Sequence, residues 1–358
     1  MGTPDDPPAN PTVNDIARVA RVSLATVDRV LNARPGVRQI TVERVHQAIA
    51  ELGYVRDTAA ANLARGRTYR FLFLLPAARN EFIDLIEREV SDLAAGLKRD
   101  RTQITCQRVP AFDPMALADA VGALDATALE GVAIFGPETP SVRDSIARLN
   151  AQGVAVISLI SDIPSSGRTA YVGIDNIAAG RTAAQLMGRF LGPAEGAVLV
   201  ITGSMLARDH LERRLGFDEV MARDFPHLKV RASVEGRDDP DLIARLLPHA
   251  MGAEGEICGI YASAAGNAGL LQHLERNPPL RAPVIIAHEL TPLSRAALTA
   301  GVFDAVISQD AGHLVRSAVR IMRADCDQSP INLAQERIRT DIYLKENLPP
   351  ETGLLKGA

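Results

Sequence analysis

TVNDIARVARVSLATVDRVLN, residues 12–32, holds two short apolar-faced segments on either side of a three-residue break. From Asn14 to Ala20 the apolar residues Ile16, Ala17, Val19 and Ala20 follow helical spacing. Arg21-Val22-Ser23 interrupts the pattern, and Leu24 to Asn32 resumes it. Ser23 suits the N-cap of the second helix, because its hydroxyl can accept from an early backbone N–H. Two short helices joined by a tight turn form the arrangement that presents a second helix to a DNA major groove. A third helix is predicted from Thr41 to Leu52, where Val42, Val45, Ile49 and Leu52 share a face and Gly53 supplies a left-handed stop. Beyond it, Asp57 to Gly66 is helix-prone, capped by Asp57 and ended by Gly66. With only about two turns, that segment is marginal alone in water.

Charge sharpens the pattern. The 358-residue chain has a net charge of −4. Pro11 to Arg70 carries ten Arg, no Lys and five acidic residues, so this stretch is +5 and the remainder −9. A small basic module on an acidic body fits nucleic-acid binding at one end only. The first ten residues, MGTPDDPPAN, are Pro-rich and acidic and are expected to be a disordered lead. They show no basic start followed by an apolar run, so a cytoplasmic protein without a secretory signal is expected. The longest apolar runs, such as Phe71–Leu75 and Ala197–Ile201, have the length of strands and are too short to span a bilayer.

After Thr68 short apolar runs alternate with helical stretches. Phe71–Leu75, Gly131–Phe135, Ala155–Leu159, Ala197–Thr202, Gly259–Ala262 and Val284–Ala287 have strand character. Phe82–Leu97, Ala178–Phe190, His210–Arg223 and Pro240–Met251 have helical character. This α/β alternation predicts doubly wound parallel sheets with helices on both faces. Roughly 280 residues are long for one sheet domain, which points to two lobes with a ligand cleft at the carboxyl ends of the strands.

Catalytic signatures are missing. The chain has no GxxxxGK[ST], GxSxG or HExxH motif. Its three cysteines, Cys106, Cys258 and Cys326, are widely separated, and the seven histidines pair with none of them at ligand spacing. No metal, no cofactor and no enzyme activity are expected.

The words TVNDIARVARVSLATVDRVLN, TVERVHQAIAELGY and AAANLARGRT, in this order, resemble the LacI/GalR family of bacterial transcription regulators. So do YVGIDNIAAG (Tyr171–Gly180), LERRLGF (Leu211–Phe217) and VISQD (Val306–Asp310) in the body. The resemblance implies a helix-turn-helix headpiece on a two-lobed domain of the type I periplasmic-binding-protein kind, with three chain crossings between lobes. It divides the chain into a lead (1–11), a DNA-binding domain (12–56), a hinge helix (57–67), an effector and dimerisation domain (68–345) and a tail (346–358). It implies that Leu24, Ala25 and Arg29 face base edges, where Arg29 can hydrogen-bond guanine and the other two can touch a thymine methyl. It places Thr12, Asn14, Thr26, Asn32 and Tyr54 along the DNA backbone, and Ser23 and Asp28 among the other DNA-binding positions. Ala60 and Leu63 fall in the hinge, with Leu63 as a wedge between base steps. Two positions depart from the family pattern. Arg21 stands where Gly is common, and its left-handed backbone costs about 1 kcal/mol. Asp28 replaces a small Ser, and a carboxylate near phosphates is unfavourable unless it pairs with Arg29 or accepts from a cytosine amino group.

In the body the resemblance places Arg79, Asn80, Phe82, Asp175, Arg213, Ser263, Glu289 and Gln309 around the effector. Asp175 is equally placed to cap the helix that follows it, and Arg213 and Glu289 to form a structural salt bridge. Ser263-Ala264 replaces the family's frequent Asn-Asp, and His288-Glu289 its Tyr-Asp. Donors and acceptors beside an aromatic wall suit a polyhydroxylated ligand. The implied protein is a homodimer without a membrane segment, since the tail lacks the leucine heptads of tetrameric relatives. It binds double-stranded DNA at a near-palindromic operator and represses carbohydrate-utilisation genes under control of a sugar or sugar-alcohol effector. A corepressor-dependent regulator responding to a non-sugar metabolite and a transport-type binding protein remain open.

Overall fold

The computed structural model describes residues 11–31, 35–54, 68–252, 256–264 and 266–350. The chain divides into two compact units, 1–67 and 68–358.

The first unit holds three helices, α1 (Val13–Ala20), α2 (Leu24–Leu31) and α3 (Gln39–Leu52). Ile16, Ala20, Val27, Val45 and Ala48 form their shared core. At the start of α1 the Asp15 carboxylate reaches back to accept from the Thr12 backbone N–H (2.9 Å) and hydroxyl (2.8 Å). Arg21 ends the helix in the left-handed region, with φ 52°. Its neighbour Val22 still donates to the Ala17 carbonyl at 3.0 Å, so the tight turn is hydrogen-bonded despite the missing glycine. Ser23 Oγ accepts from the Thr26 N–H at 3.2 Å, and Gly53 ends α3 at φ 59°.

The second unit alternates strands and helices. A first sheet collects β1 (Tyr69–Ala77), β2 (Thr102–Pro110), β3 (Gly131–Ile134), β4 (Ala155–Leu159) and β5 (Ala170–Val172). All run parallel in the order β2-β1-β3-β4-β5. The helices between them are α4 (Glu81–Leu97), α5 (Pro114–Gly122) and α6 (Pro140–Ala151). The chain then crosses into a second lobe through α7 (Asn176–Leu191), β6 (Gly196–Thr202), α8 (Arg208–Asp224), β7 (Leu228–Glu235) and α9 (Pro240–Gly252). There follow β8 (Ile257–Ala262), α10 (Asn267–Arg276), β9 (Val284–His288), α11 (Pro292–Thr299) and β10 (Ala305–Ser308). The next helix, α12 (Ala311–Asp327), returns to pack on β3, β4 and α4. After α13 (Leu333–Glu336), β11 (Asp341–Tyr343) crosses a third time and pairs antiparallel with β10. The second sheet thus has the order β11-β10-β9-β8-β6-β7.

Burial explains which strands the sequence reveals. β3, β4 and β10 are buried at every residue, as strands covered on both faces must be. Apolar runs marked six of the seven interior strands, leaving out β10. They did not mark β2, β5, β7 and β11, which are the four sheet edges. β2 alternates buried and exposed residues along TQIT, which breaks the apolar run.

The two helices that carry the cleft's main cation meet unusually closely. A Cβ on Gly180 of α7 would overlap the Arg213 carbonyl oxygen, and one on Gly216 of α8 would overlap that of Ile177. Both glycines belong to the motif words noted above. Their missing side chains let the two backbones touch and fix the height of Arg213 against the strand ends.

Candidate functional site

Two regions concentrate groups that bear on function, one exposed on the headpiece and one buried in the body. On the headpiece, α2 turns Leu24, Ala25, Asp28 and Arg29 outward, and Ser23 just before it is exposed too. Leu24 is 49% exposed, a large apolar side chain in solvent on a helix whose other face already buries Val27. Thr12 and Asn14 are exposed near the start of α1. Thr26 is half-buried, its hydroxyl 2.9 Å from Ser23 Oγ, and Tyr54 is half-buried against the headpiece core. Arg18, Arg21, Arg38 and Arg44 are exposed as well. Asn32, Ala60, Leu63 and the expected hinge at 57–67 lie outside the described residues.

In the body a cleft opens at the carboxyl ends of the strands, between the lobes. From the first lobe come Arg79, Asn80 and Phe82, at the junction of β1 and α4. Asn80 Oδ1 caps α4 by accepting from the N–H groups of Phe82 (2.9 Å) and Ile83 (3.4 Å). Its Nδ2 donates across the cleft to Asp238 Oδ2 at 2.9 Å. Arg79 reaches the same facing loop, with Nη2 3.1 Å from Asp239 Oδ1 and 2.6 Å from Asp241 Oδ2. At the other lip Arg208 pairs with Glu138 at 2.9 Å.

Arg213 lies at the bottom, 2% exposed. Its Nε donates to Asn176 Oδ1 (2.9 Å), Nη1 to the Ser263 carbonyl (2.8 Å) and Nη2 to Glu289 Oε1 (3.4 Å). Gln309 Nε2 donates to the same Glu289 oxygen at 2.9 Å. Glu289 itself has φ 65°, a strained value for a non-glycine residue held at a site.

Of the eight body residues expected around the effector, Arg79, Asn80, Phe82, Arg213 and Glu289 line this cleft. Three do not. Asp175 is exposed and accepts from the Ala178 N–H at 2.9 Å, which makes it the cap of α7. Ser263 is fully buried, its carbonyl turned to Arg213 and its hydroxyl donating to the Ile201 carbonyl. Gln309 is buried behind Glu289 and positions that carboxylate.

The lining also includes Asp209, His210, Asp238 and Asn267, which the sequence reading passed over, and His288, which it noted only as a departure from the family pattern. Asp209 was legible, since it precedes Arg213 by four positions on α8 and so shares its face. Asp238 follows the edge strand β7, whose polar alternation hid it. Asn267 and His288 depend on strand ends that only the sheet order brings together.

Electrostatics in the cleft are governed by burial. Burial pushes the Asp209 carboxyl up, but the neighbouring charges of His210 and Arg213 outweigh it and hold the group below the usual carboxylate range. Burial raises Asp238, and raises Glu289 against the pull of Arg213. His288, whose Nε2 is 2.9 Å from the Tyr261 hydroxyl, is held well below its ordinary value by burial, with Arg213 and His210 adding to the effect. Asp209 Oδ1, Asp238 Oδ1, Asn267 Oδ1 and His288 Nδ1 are buried without a protein partner. Buried polar atoms without partners are costly, so four of them around one cleft single out a polar region that water or a ligand must satisfy. Among the described residues no group of His, Cys, Asp and Glu is arranged to hold a metal ion, and no helix is long and apolar enough to cross a membrane.

Comparison with known proteins follows the same division. Residues 71–328 match the periplasmic binding protein domain family, and residues 12–57 match bacterial regulatory proteins of the lacI family. Among curated relatives, catabolite control protein A of Priestia megaterium is 37% identical over 89 residues, 25% of this chain and 27% of that protein. The HTH-type transcriptional regulator RegA of Clostridium saccharobutylicum is 41% identical over 83 residues, 23% of this chain and 25% of that one. The matches therefore span about a quarter of these relatives. Among solved structures, an ABC-transporter solute-binding protein from Burkholderia graminis in complex with D-arabinose superposes with TM-score 0.70 and 22% identity, covering 80% of this chain and 98% of that one. GanP, a glucose-galactose binding protein from Geobacillus stearothermophilus, gives 0.70 and 20%, covering 79% and 99%. These likenesses establish the fold of the body.

Proposed function

Because this chain belongs to the periplasmic binding protein domain family and closely resembles LacI/GalR regulators at its N-terminus, we propose that it is a sequence-specific transcriptional regulator controlled by a small molecule. One observation carries the reading: a three-helix headpiece with an exposed second helix and a two-lobed body with a polar cleft occur in one polypeptide. Two headpieces of a homodimer would bind the halves of a near-palindrome. Arg29, Leu24 and Ala25 read bases, while Thr12, Asn14, Ser23, Thr26, Asn32 and Tyr54 set position on the phosphates. Asp28 turns a carboxylate toward the same groove, where it selects cytosine amino groups. Ala60 and Leu63 belong to the hinge, with Leu63 wedged between base steps.

The effector is a sugar or sugar alcohol held between the lobes. The links that already bridge the cleft, Arg79 to Asp239 and Asp241, Asn80 to Asp238 and Arg208 to Glu138, form on closure. Closure shifts the dimer contacts and so the pairing of the hinge segments. A useful switch needs several kcal/mol of differential affinity between the two states.

Selection of binding sites from genomic DNA with purified full-length chain at physiological salt tests the DNA half, because non-specific phosphate attraction is suppressed there. A recovered palindrome with a flexible central step supports the reading. Equal recovery of unrelated fragments overturns it.

A further inference from the structure

The cleft's hydrogen-bonding groups are unbalanced in one direction. Its buried cation, Arg213, spends Nε, Nη1 and Nη2 on Asn176, Ser263 and Glu289. Arg79 at the rim is engaged by Asp239 and Asp241. His210 Nδ1 lies 3.1 Å from both the N–H and the carbonyl oxygen of Ser204, and Nε2 lies 3.5 Å from Asp209. Each guanidinium nitrogen of Arg213 thus already has a protein acceptor, with three of its five N–H groups used, and Arg79 is paired at Nη2.

Helix N-termini point into such clefts and ordinarily favour anions. Here most are already answered. Asn80 caps α4, and Thr291 Oγ1 accepts from the Ser294 N–H at the start of α11. Asp209 sits in the first turn of α8. Among the described helices at the cleft, α8 and α10 begin without a side-chain cap, at Ala207 and Gly266. In α8 the Asp209 N–H is taken by Ser161 Oγ (3.3 Å), and a neutral hydroxyl oxygen can satisfy the N–H groups of α10.

What lacks any protein partner is mostly the opposite set, three acceptor oxygens beside His288 Nδ1. Asp209 Oδ1, Asp238 Oδ1 and Asn267 Oδ1 are acceptors, on side chains 2%, 7% and 7% exposed. Two of the three belong to carboxylates, and the Glu289 carboxylate lies across the same space. A phosphate or carboxylate placed here would meet these oxygens with no donor of its own, in a buried setting where like-charge repulsion is poorly screened.

We infer that the cleft is built for a hydrogen-bond-donating ligand without negative charge, an uncharged polyol or sugar or its amino-substituted form, and that Asp209 and Asp238 reject phosphorylated and carboxylated ones. The inference rests on the effector reading above and narrows it.

The test is calorimetric titration of the full chain with matched probes. The neutral set is D-arabinose, D-glucose, D-galactose and myo-inositol; the charged set is D-glucosamine, D-gluconate, D-glucose 6-phosphate and D-arabinose 5-phosphate. A neutral member is expected to bind, its amino form to bind at least equally, and its acidic forms to bind at least about tenfold more weakly. Asp209→Asn and Asp238→Asn should each narrow that ratio, with thermal unfolding confirming that the variants fold. An acidic probe that binds as tightly as its neutral parent overturns the inference while leaving a ligand-controlled regulator intact. Binding by no probe overturns it together with the sugar reading, and operator selection then reports separately whether the DNA half survives.

Discussion

The headpiece holds Leu24, Ala25 and Arg29 in solvent on one short helix. The cleft instead buries Asp209, Arg213, Asp238 and Glu289, which arrive from three separate segments of the chain. On the headpiece the groups proposed to act are not the groups that hold the fold, because Ile16, Val27 and Val45 do that underneath. In the cleft the two sets overlap. Arg213 ties α7, β8 and β9 together and also forms the floor beneath the ligand. Function and stability should therefore separate cleanly in one region and move together in the other.

The largest effect expected is in the cleft. Arg213→Met strands the buried Glu289 carboxylate and the Ser263 carbonyl, and should cost about 3–5 kcal/mol in denaturant unfolding of the body, with ligand binding lost at the same time. A variant with unchanged stability would show that the pair is not a structural element. Next comes the headpiece core. Ile16→Ala should cost about 2–5 kcal/mol, enough to unfold so small a unit and abolish operator binding. Ligand titration of the same variant should be unaltered, and a loss of ligand binding would break the contrast.

A smaller effect is expected on the exposed face. Arg29→Ala should cost about 1–3 kcal/mol of operator affinity, with relaxed preference at one base position and no change in the unfolding midpoint. Binding weakened equally on all sequences would reassign Arg29 to the phosphates.

The smallest is a pH slope in the body. His288 is kept neutral by burial in the folded state, whereas the unfolded chain takes up its proton near pH 6.5. The unfolded state therefore holds more protons below that pH, and stability must fall as pH falls. The loss should begin near pH 6.5 and approach about 1.4 kcal/mol per pH unit. Unfolding midpoints across this range measure it, and His288→Gln should flatten the slope.

The same comparison explains what was readable beforehand. Ile16, Ala20 and Val45 repeat at helical spacing within short segments, so the headpiece announces itself locally. Gly53 and Arg21 mark its helix ends, one by residue type and one by its place in the turn. Interior strands of the body announce themselves as apolar runs. Edge strands β2 and β7 do not, since one side of each keeps contact with water, and Asp238 was missed with β7. Asp175 shows a different ambiguity. An acidic residue before a helix reads the same whether it caps or binds, and its exposure beside the Ala178 N–H places it with the caps.

By itself the sequence determined the three-helix unit, the alternation that makes two parallel sheets, and five of the residues that line the cleft. The first two depend on periodicity, a local property of the chain, and the five residues came from the resemblance to the LacI/GalR family, which placed them at motif positions beside strand ends. Tertiary structure decided the balance of charge between the lobes. Whether Arg213 is free to meet a ligand depends on Asn176, Ser263 and Glu289, positions 37, 50 and 76 residues away. Whether Asp209 and Asp238 are left without partners depends on every side chain packed around them. Hydrogen-bond saturation is a property of the folded neighbourhood, so spacing along the chain carries no record of it.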